Sequence, residues 1–357
     1  MPDEPTPRDL RIDLIRGMAL LVIFSDHVFS NPLRRFMPVS QGLSDMAEVF
    51  IFLSGYLNGT VSRKITNRTA FVEQLVKCTR RCLLLYAAIL LVHLLVFTMV
   101  DCGIVHLGEK LAGPPLYFRP GLSPPSIGSV LTLKCLMANV CVLALYLPLL
   151  VIVSFVPELL RRYFTVTVCA SCQIYLLVQL FPAEFALPEP WASSLYFNPF
   201  AWQLPFVLGI AFGIRPKTCK ACIPSNLLVF LLALVAVVAT GLYWILSGIP
   251  YGYSEWKPTL APVRLVHFYS VLIVGRKLLG KNSSFLNWPI IQPILLCGRH
   301  PLPVYCTGAL LSTVFEDMIT RTAAPAFGQV VVLNLAGWAI CVAIAYIASE
   351  VKVRSGK

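Results

Sequence analysis

Apolar runs about as long as a bilayer is thick recur along this chain, separated by short segments that hold most of its charge. A run of roughly 20 apolar residues suits a helix in lipid, because there the backbone must satisfy its own hydrogen bonds. The composition agrees. Of the 357 residues, 57% are hydrophobic and 13% charged, and the mean hydropathy is +0.76, whereas soluble domains carry roughly 25% charged residues. The pattern predicts an all-α polytopic integral membrane bundle of about ten transmembrane helices. It forms a single domain over residues 1–357, with no soluble domain left over.

The apolar segments place helices at roughly 11–30, 44–61, 82–100, 139–156, 164–181, 199–214, 226–247 and 261–275. A ninth is broken around Gly298-Arg299-His300-Pro301 and runs to about 319, and a tenth covers roughly 328–349. Residues 1–10 read as a short cytoplasmic tail. Residues 62–81 (SRKITNRTAFVEQLVKCTRR) hold six basic residues and read as an interfacial helix. The first apolar run leads into Ser25-Asp26-His27 rather than a small-residue cleavage site, so it is expected to be a retained helix.

The formal net charge is +12. In this ten-helix arrangement, 20 of the 29 Lys and Arg residues fall at one set of helix ends and seven in the opposite loops. That is the positive-inside pattern, and it puts both termini in the cytoplasm. The charge is thereby explained by topology, and no nucleic-acid partner is expected. The 12 cysteines lie mostly within apolar runs, where Cys behaves as a small hydrophobe. Cys219 and Cys222 form a lone CxxC; a structural zinc site takes four ligands, so no metal is expected.

Ionisable groups inside apolar segments are costly and mark function or pairing. They concentrate between Arg11 and Tyr56: Asp13, Arg16, Asp26 and His27 in the first segment, Asp45 and Glu48 at the start of the second. His27 lies about 21 Å along the helix from Asp13, at 1.5 Å per residue. If the second helix returns through the membrane, Glu48 reaches a similar depth. A His with a carboxylate makes an acid–base pair, in which the acid orients the ring and stabilises the imidazolium. Asp26 adjoins His27 on the same helix and faces elsewhere, so Glu48 is the better partner. Plainer readings stand beside this one. Asp13 and Arg16 have the spacing of a helix-end ion pair, Asp45 and Glu48 that of a capping box, and His27 can simply hydrogen-bond a neighbouring helix.

Further along, Trp202 and Gln203 open the sixth helix and Arg264 the eighth. Gln203 brings an amide and Arg264 a fixed cation to a helix start, groups able to hold a polar or anionic part of a substrate. Arg299 and His300 sit at the helix break, where freed backbone groups need partners, so structural and catalytic roles both stay open for them.

The segments RDLRIDLIRGMALLVIFSDHV and SDMAEVFIFLSGY resemble the start of the OpgC family. NPFAWQLPFVLG (198–209), APVRLVHF (261–268) and GRHPLPVYCTG (298–308) extend the resemblance over nearly the whole chain. The spacing of Asp13, Arg16, Gly17, His27, Glu48 and the FIFLSG run (50–55) is also similar to the wider acyltransferase-3 superfamily. The OpgC enzymes are multi-pass proteins of the bacterial inner membrane that attach succinyl groups to periplasmic osmoregulated glucans. The resemblance implies a membrane O-acyltransferase. Cytoplasmic acyl-CoA, with succinyl-CoA favoured, is its co-substrate, and no cofactor is permanently bound. A saccharide hydroxyl on the far side of the bilayer is the acceptor, and a homodimer stays open. His27 would be the general base and Glu48 its orienter. Asp13 and Arg16, with Asp45, Trp202, Gln203, Arg264 and Arg299, would form the donor-side and substrate-binding set. The alternative is a transporter or exporter whose intramembrane ionisable residues line a path; a non-enzymatic membrane scaffold is a weaker rival.

Overall fold

The computed structural model describes residues 9–28, 30–37, 43–63, 68–106, 126–216, 218, 226–247, 256–280, 284–322 and 326–355. Among them the chain is all-helical. Cys219, Cys222 and the tail 1–8 lie outside the described residues.

Helix α1 (Leu10–Asp26) starts on Asp9, whose carboxylate accepts the Arg11 N–H. It stops at Asp26, with His27 as its C-cap, and so is shorter than expected. The reason is local: Asn31 accepts the Leu33 N–H and, with Pro32, starts a separate 3-10 turn over Pro32–Phe36. Helix α2 (Met46–Ser62) opens on a capping box. Asp45 accepts from Ala47 N–H, and Glu48 accepts from Asp45 N–H.

Helix α3 (Arg68–Asp101) corrects the expectation of an interfacial segment over 62–81 followed by a separate helix. No Gly or Pro interrupts residues 68–101, so the basic stretch and the apolar stretch wind as one helix of 34 residues. That is about 51 Å long, well beyond a hydrocarbon core of about 30 Å. After the short α4 (Ile127–Leu131) come α5 (Cys141–Val153) and α6 (Val156–Arg162), where one span was expected. A bend of 44° separates them, and Pro157 opens the second piece.

Helices α7 (Phe164–Leu180), α8 (Trp191–Ser194), α9 (Pro199–Ile214), α10 (Leu227–Ser247) and α11 (Pro262–Leu278) follow. Then α12 (Gln292–Arg299) and α13 (Pro301–Arg321) flank the expected break at His300, and α14 (Phe327–Arg354) closes the chain. Residues 71–101 and 327–354 form helices long and apolar enough to cross a membrane alone, and the bent α5–α6 pair makes a third candidate.

Helix packing rests on small residues. In α2, Gly55 and Gly59 face Gly209 and Gly213 of α9, two G-x-x-x-G pairs laid against each other. A Cβ on Gly209 would stand 2.2 Å from Phe52 O, and one on Gly55 2.1 Å from Phe206 O. The two backbones are therefore in direct contact, and Ile51 and Phe206 beside the seam are fully buried.

Gly209→Leu is expected to cost more than about 3 kcal/mol, the top of the usual range for overpacking. The check is thermal unfolding in detergent, with Gly275→Ala as control. A Cβ at Gly275 meets nothing within 4 Å, and helix propensity favours Ala there by about 0.8–1 kcal/mol.

Candidate functional site

The capping box of α2 meets α11 in a buried ion cluster. Arg264, in the first turn of α11, donates from Nε to Glu48 Oε1 at 2.7 Å, and its Nη2 lies 2.5 Å from the same oxygen and 3.2 Å from Asp45 Oδ2. Lys257 Nζ completes the group, 2.7 Å from Asp45 Oδ2. Two carboxylates thus face two cations. Glu48 and Arg264 are 0% and 3% exposed, so this balance is what makes their burial tolerable.

Lys257 is delivered by a pinned turn. Trp202 Nε1 donates to Lys257 O and Pro258 O, Asn198 N–H to Pro258 O, and Tyr175 OH to Leu260 O. Leu260 is held at φ +51°, a strained conformation for a branched side chain that the surrounding bonds impose. One turn along α11 from Arg264, His267 Nδ1 accepts from Ser44 N–H at 3.2 Å and lies 2.7 Å from Ser44 Oγ. His267 Nε2 faces Thr240 Oγ1 of α10 at 3.0 Å. The residue preceding the α2 cap is thereby tied to both α10 and α11.

His27 sits at the end of α1, with Nδ1 2.6 Å from Ile23 O. A carbonyl oxygen only accepts, so Nδ1 carries the proton and Nε2 is the basic nitrogen of the neutral ring. The ring lines a cavity with Asn139, Tyr305, Gly308, Ala309 and Ser312, which has room for about one water molecule. The segment after α1 is held down by α13 and α14. Glu316 accepts from Ser30 N–H and Oγ, Asn31 donates to Asn334, and Trp338 donates to Ser25 Oγ.

At the other end of α1, Asp13 is buried, and Arg299 Nε lies 3.5 Å from its Oδ2. The approach is close because α1 and α12 touch through glycines: a Cβ on Gly298 would stand 1.9 Å from Asp13 O. Arg16 is buried on the same helix.

The structure therefore brings Asp45, Glu48 and Arg264 together, and Asp13 with Arg299. It gives Glu48 the partners Arg264 and Asp45 N–H, where sequence reasoning paired it with His27; Ile23 O holds the His27 ring nitrogen instead. Trp202 props the Lys257 turn. Gln203 is bound into a tie between α9 and α7, accepting from Ser171 Oγ and donating to Ser171 O. Lys257, Ser44, His267 and Asn139 were missed. Asn139 and His267 carried the usual signal, a polar group inside an apolar segment; Lys257 read only as a loop charge.

A protein-family model described as OpgC protein matches residues 8–353. The chain belongs to the OpgC family. No curated protein and no solved structure matches it. For an OpgC protein the implied class is a transferase, and the long apolar helices indicate membrane association.

Arg264→Met leaves Asp45 and Glu48 buried with Lys257 alone as counter-charge. It is expected to destabilise the protein by about 3–5 kcal/mol. Arg264→Met with Glu48→Gln should recover part of that loss, as a thermal-shift double-mutant cycle in detergent would register.

Proposed function

We propose that this OpgC-family protein is a membrane O-acyltransferase that moves a succinyl group from cytoplasmic acyl-CoA to hydroxyls of a periplasmic glucan or related saccharide. His27 carries the reading. It is a ring anchored through Nδ1 at the edge of a small, largely apolar cavity, and in that tautomer Nε2 is the basic nitrogen that would serve an acceptor hydroxyl. Ile23 O does the orienting. The Glu48–Arg264–Asp45–Lys257 cluster supplies cations for the donor's carbonyl oxygen or its free carboxylate. Asp13, Arg16 and Arg299 stand at the opposite end of α1, where the anionic nucleotide of the donor would sit. That division needs α1 to run from the donor side to the acceptor side of the bilayer. It fits a single ten-span bundle of the bacterial inner membrane with both termini in the cytoplasm, the arrangement that the distribution of Lys and Arg favours.

The test uses membranes containing wild type or His27→Ala at equal folded levels, labelled succinyl-CoA, a β-glucan acceptor and no ion gradient. Wild type is expected to label the glucan, and His27→Ala to lose about 100- to 10,000-fold in rate. Undiminished transfer by the variant would remove His27 as the base. Absence of any covalent change with wild type, together with gradient-driven movement of an intact substrate, would replace the enzyme with a transporter.

A further inference from the structure

Just before α2, Ser44 stands against His267 of α11. Ser44 Oγ lies 2.7 Å from His267 Nδ1, and the Ser44 N–H points at the same nitrogen at 3.2 Å. Across the ring, Thr240 Oγ1 of α10 lies 3.0 Å from Nε2. Ser44 and His267 are both buried.

The proton positions follow from the partners. A backbone N–H only donates, so Nδ1 is the nitrogen without a proton and Nε2 carries it. Thr240 gives its hydroxyl hydrogen to Ala236 O and Val237 O, each at 2.9 Å, which leaves Oγ1 to accept from Nε2–H. The Ser44 hydroxyl then gives its hydrogen to Nδ1. Three segments thus form one directed chain: hydroxyl, basic nitrogen, ring N–H and a fixed acceptor. A hydroxyl within hydrogen-bond reach of a base that a third group orients is the arrangement of an activated nucleophile.

Other buried serines are placed differently. Ser25, Ser270 and Ser312 donate to Leu21 O, Val266 O and Ala309 O of their own helices, and a backbone carbonyl is too weak a base to take the proton. Nor does a purely structural tie need the Ser44 hydroxyl, because the Ser44 N–H already joins the start of α2 to α11. The surroundings suit an acyl group that ends in a carboxylate. Asp45, next to Ser44, gathers Lys257 and Arg264, and Arg264 lies one turn before His267 on α11.

We propose that Ser44 is a nucleophile that carries the acyl group between donor and acceptor, with His267 as its base and Thr240 as the positioning residue of the ring; this rests on the acyltransferase reading above. Ser44 Oγ bonds to the thioester carbonyl carbon as its proton passes to His267 Nδ1. The tetrahedral adduct collapses, the C–S bond breaks, and the imidazolium gives that proton to the leaving thiolate. The thiol departs and Ser44 holds the acyl group as an ester. The acceptor oxygen then bonds to the ester carbonyl carbon, and His27 takes its proton. The C–O bond to Ser44 breaks as His267, recharged with a proton from water, returns one to Ser44 Oγ; His27 releases its proton to water. The ester product leaves and Ser44 is regenerated. Donor and acceptor on opposite sides of a bilayer need not then be bound together.

The test mixes the full-length protein in detergent with succinyl-CoA labelled in the acyl group, without glucan, and maps the label by mass. Wild type is expected to carry one succinyl ester on Ser44, released by hydroxylamine and chased onto glucan when the acceptor is added. It should also exchange labelled free CoA into succinyl-CoA with no acceptor present. Ser44→Ala should lose both signals, and His267→Ala should lose about 100- to 10,000-fold in the rate of acylation. Ser44→Cys keeps a nucleophile in place and should take the acyl group as a thioester, which separates chemistry from folding. Thr240→Val should slow acylation with the KM for succinyl-CoA unchanged, and Thr240→Ser should restore it. Ser270→Ala, elsewhere on α11, should stay within about threefold of wild type, in line with the loss of one hydrogen bond. Wild type that acylates glucan but never itself, with no CoA exchange, would make the transfer direct and overturn the proposal while the acyltransferase reading stands. Label mapped to another residue, or Ser44→Ala acylating glucan at the wild-type rate, would overturn it too. Ser44 acylated with no passage to glucan would uphold the nucleophile and remove glucan as the acceptor. If neither protein nor glucan takes an acyl group, both readings fall.

Discussion

Direct backbone contact between α2 and α9 is the constraint from which the candidate site follows. Gly55 and Gly59 lie against Gly209 and Gly213 so closely that no side chain fits between them. In lipid, helices gain little from hydrophobic burial against each other, and close packing of small residues supplies much of their association. That seam fixes α2 against the helix that carries Trp202. Trp202 in turn pins the 256–261 turn, and the turn sets Lys257 opposite Asp45 while Arg264, three residues beyond it, meets Glu48. Displacing one helix by an ångström would leave three buried charges and the half-buried Lys257 without their geometry.

The four charges illustrate how one short sequence serves two purposes. Asp45 and Glu48 satisfy the first backbone N–H groups of α2, and the same carboxylates receive Arg264 and Lys257. The capping reading of D-x-x-E is therefore correct, and the same two carboxylates also anchor the cations of α11 and the turn before it. Burying such a cluster is rarely a net stabilisation compared with apolar packing. What it does here is fix geometry: it holds the start of α2 against α11 and the Lys257 turn.

His27 was paired with Glu48 in sequence because the end of the first helix and the start of the second were expected at a similar depth. The structure uses a cheaper device. As the C-cap of α1, His27 turns its ring back onto the carbonyl four residues earlier, which fixes the ring nitrogen that carries the proton without burying a further charge. Glu48 is then left to anchor α11.

The sequence by itself determined what is local: the all-helical class, the starts of α2, α9, α11 and α13, and the break at His300. Each follows from a cap, a proline or an apolar run a few residues long. It also carried the family, through motifs that mark Asp13, Arg16, His27 and Glu48. Local cues failed where continuation competed with a plausible boundary: residues 68–81 of the basic segment proved to be the first turns of α3, and the expected span over 139–156 proved to be bent into α5 and α6. Only the tertiary structure decided partnership. Which faces of α2 and α9 touch, that Arg264 reaches Glu48 across 216 residues, and that Asn139 closes the wall of the His27 cavity all depend on helix rotation and depth. Those are set by packing among many segments at once, and no single segment encodes them.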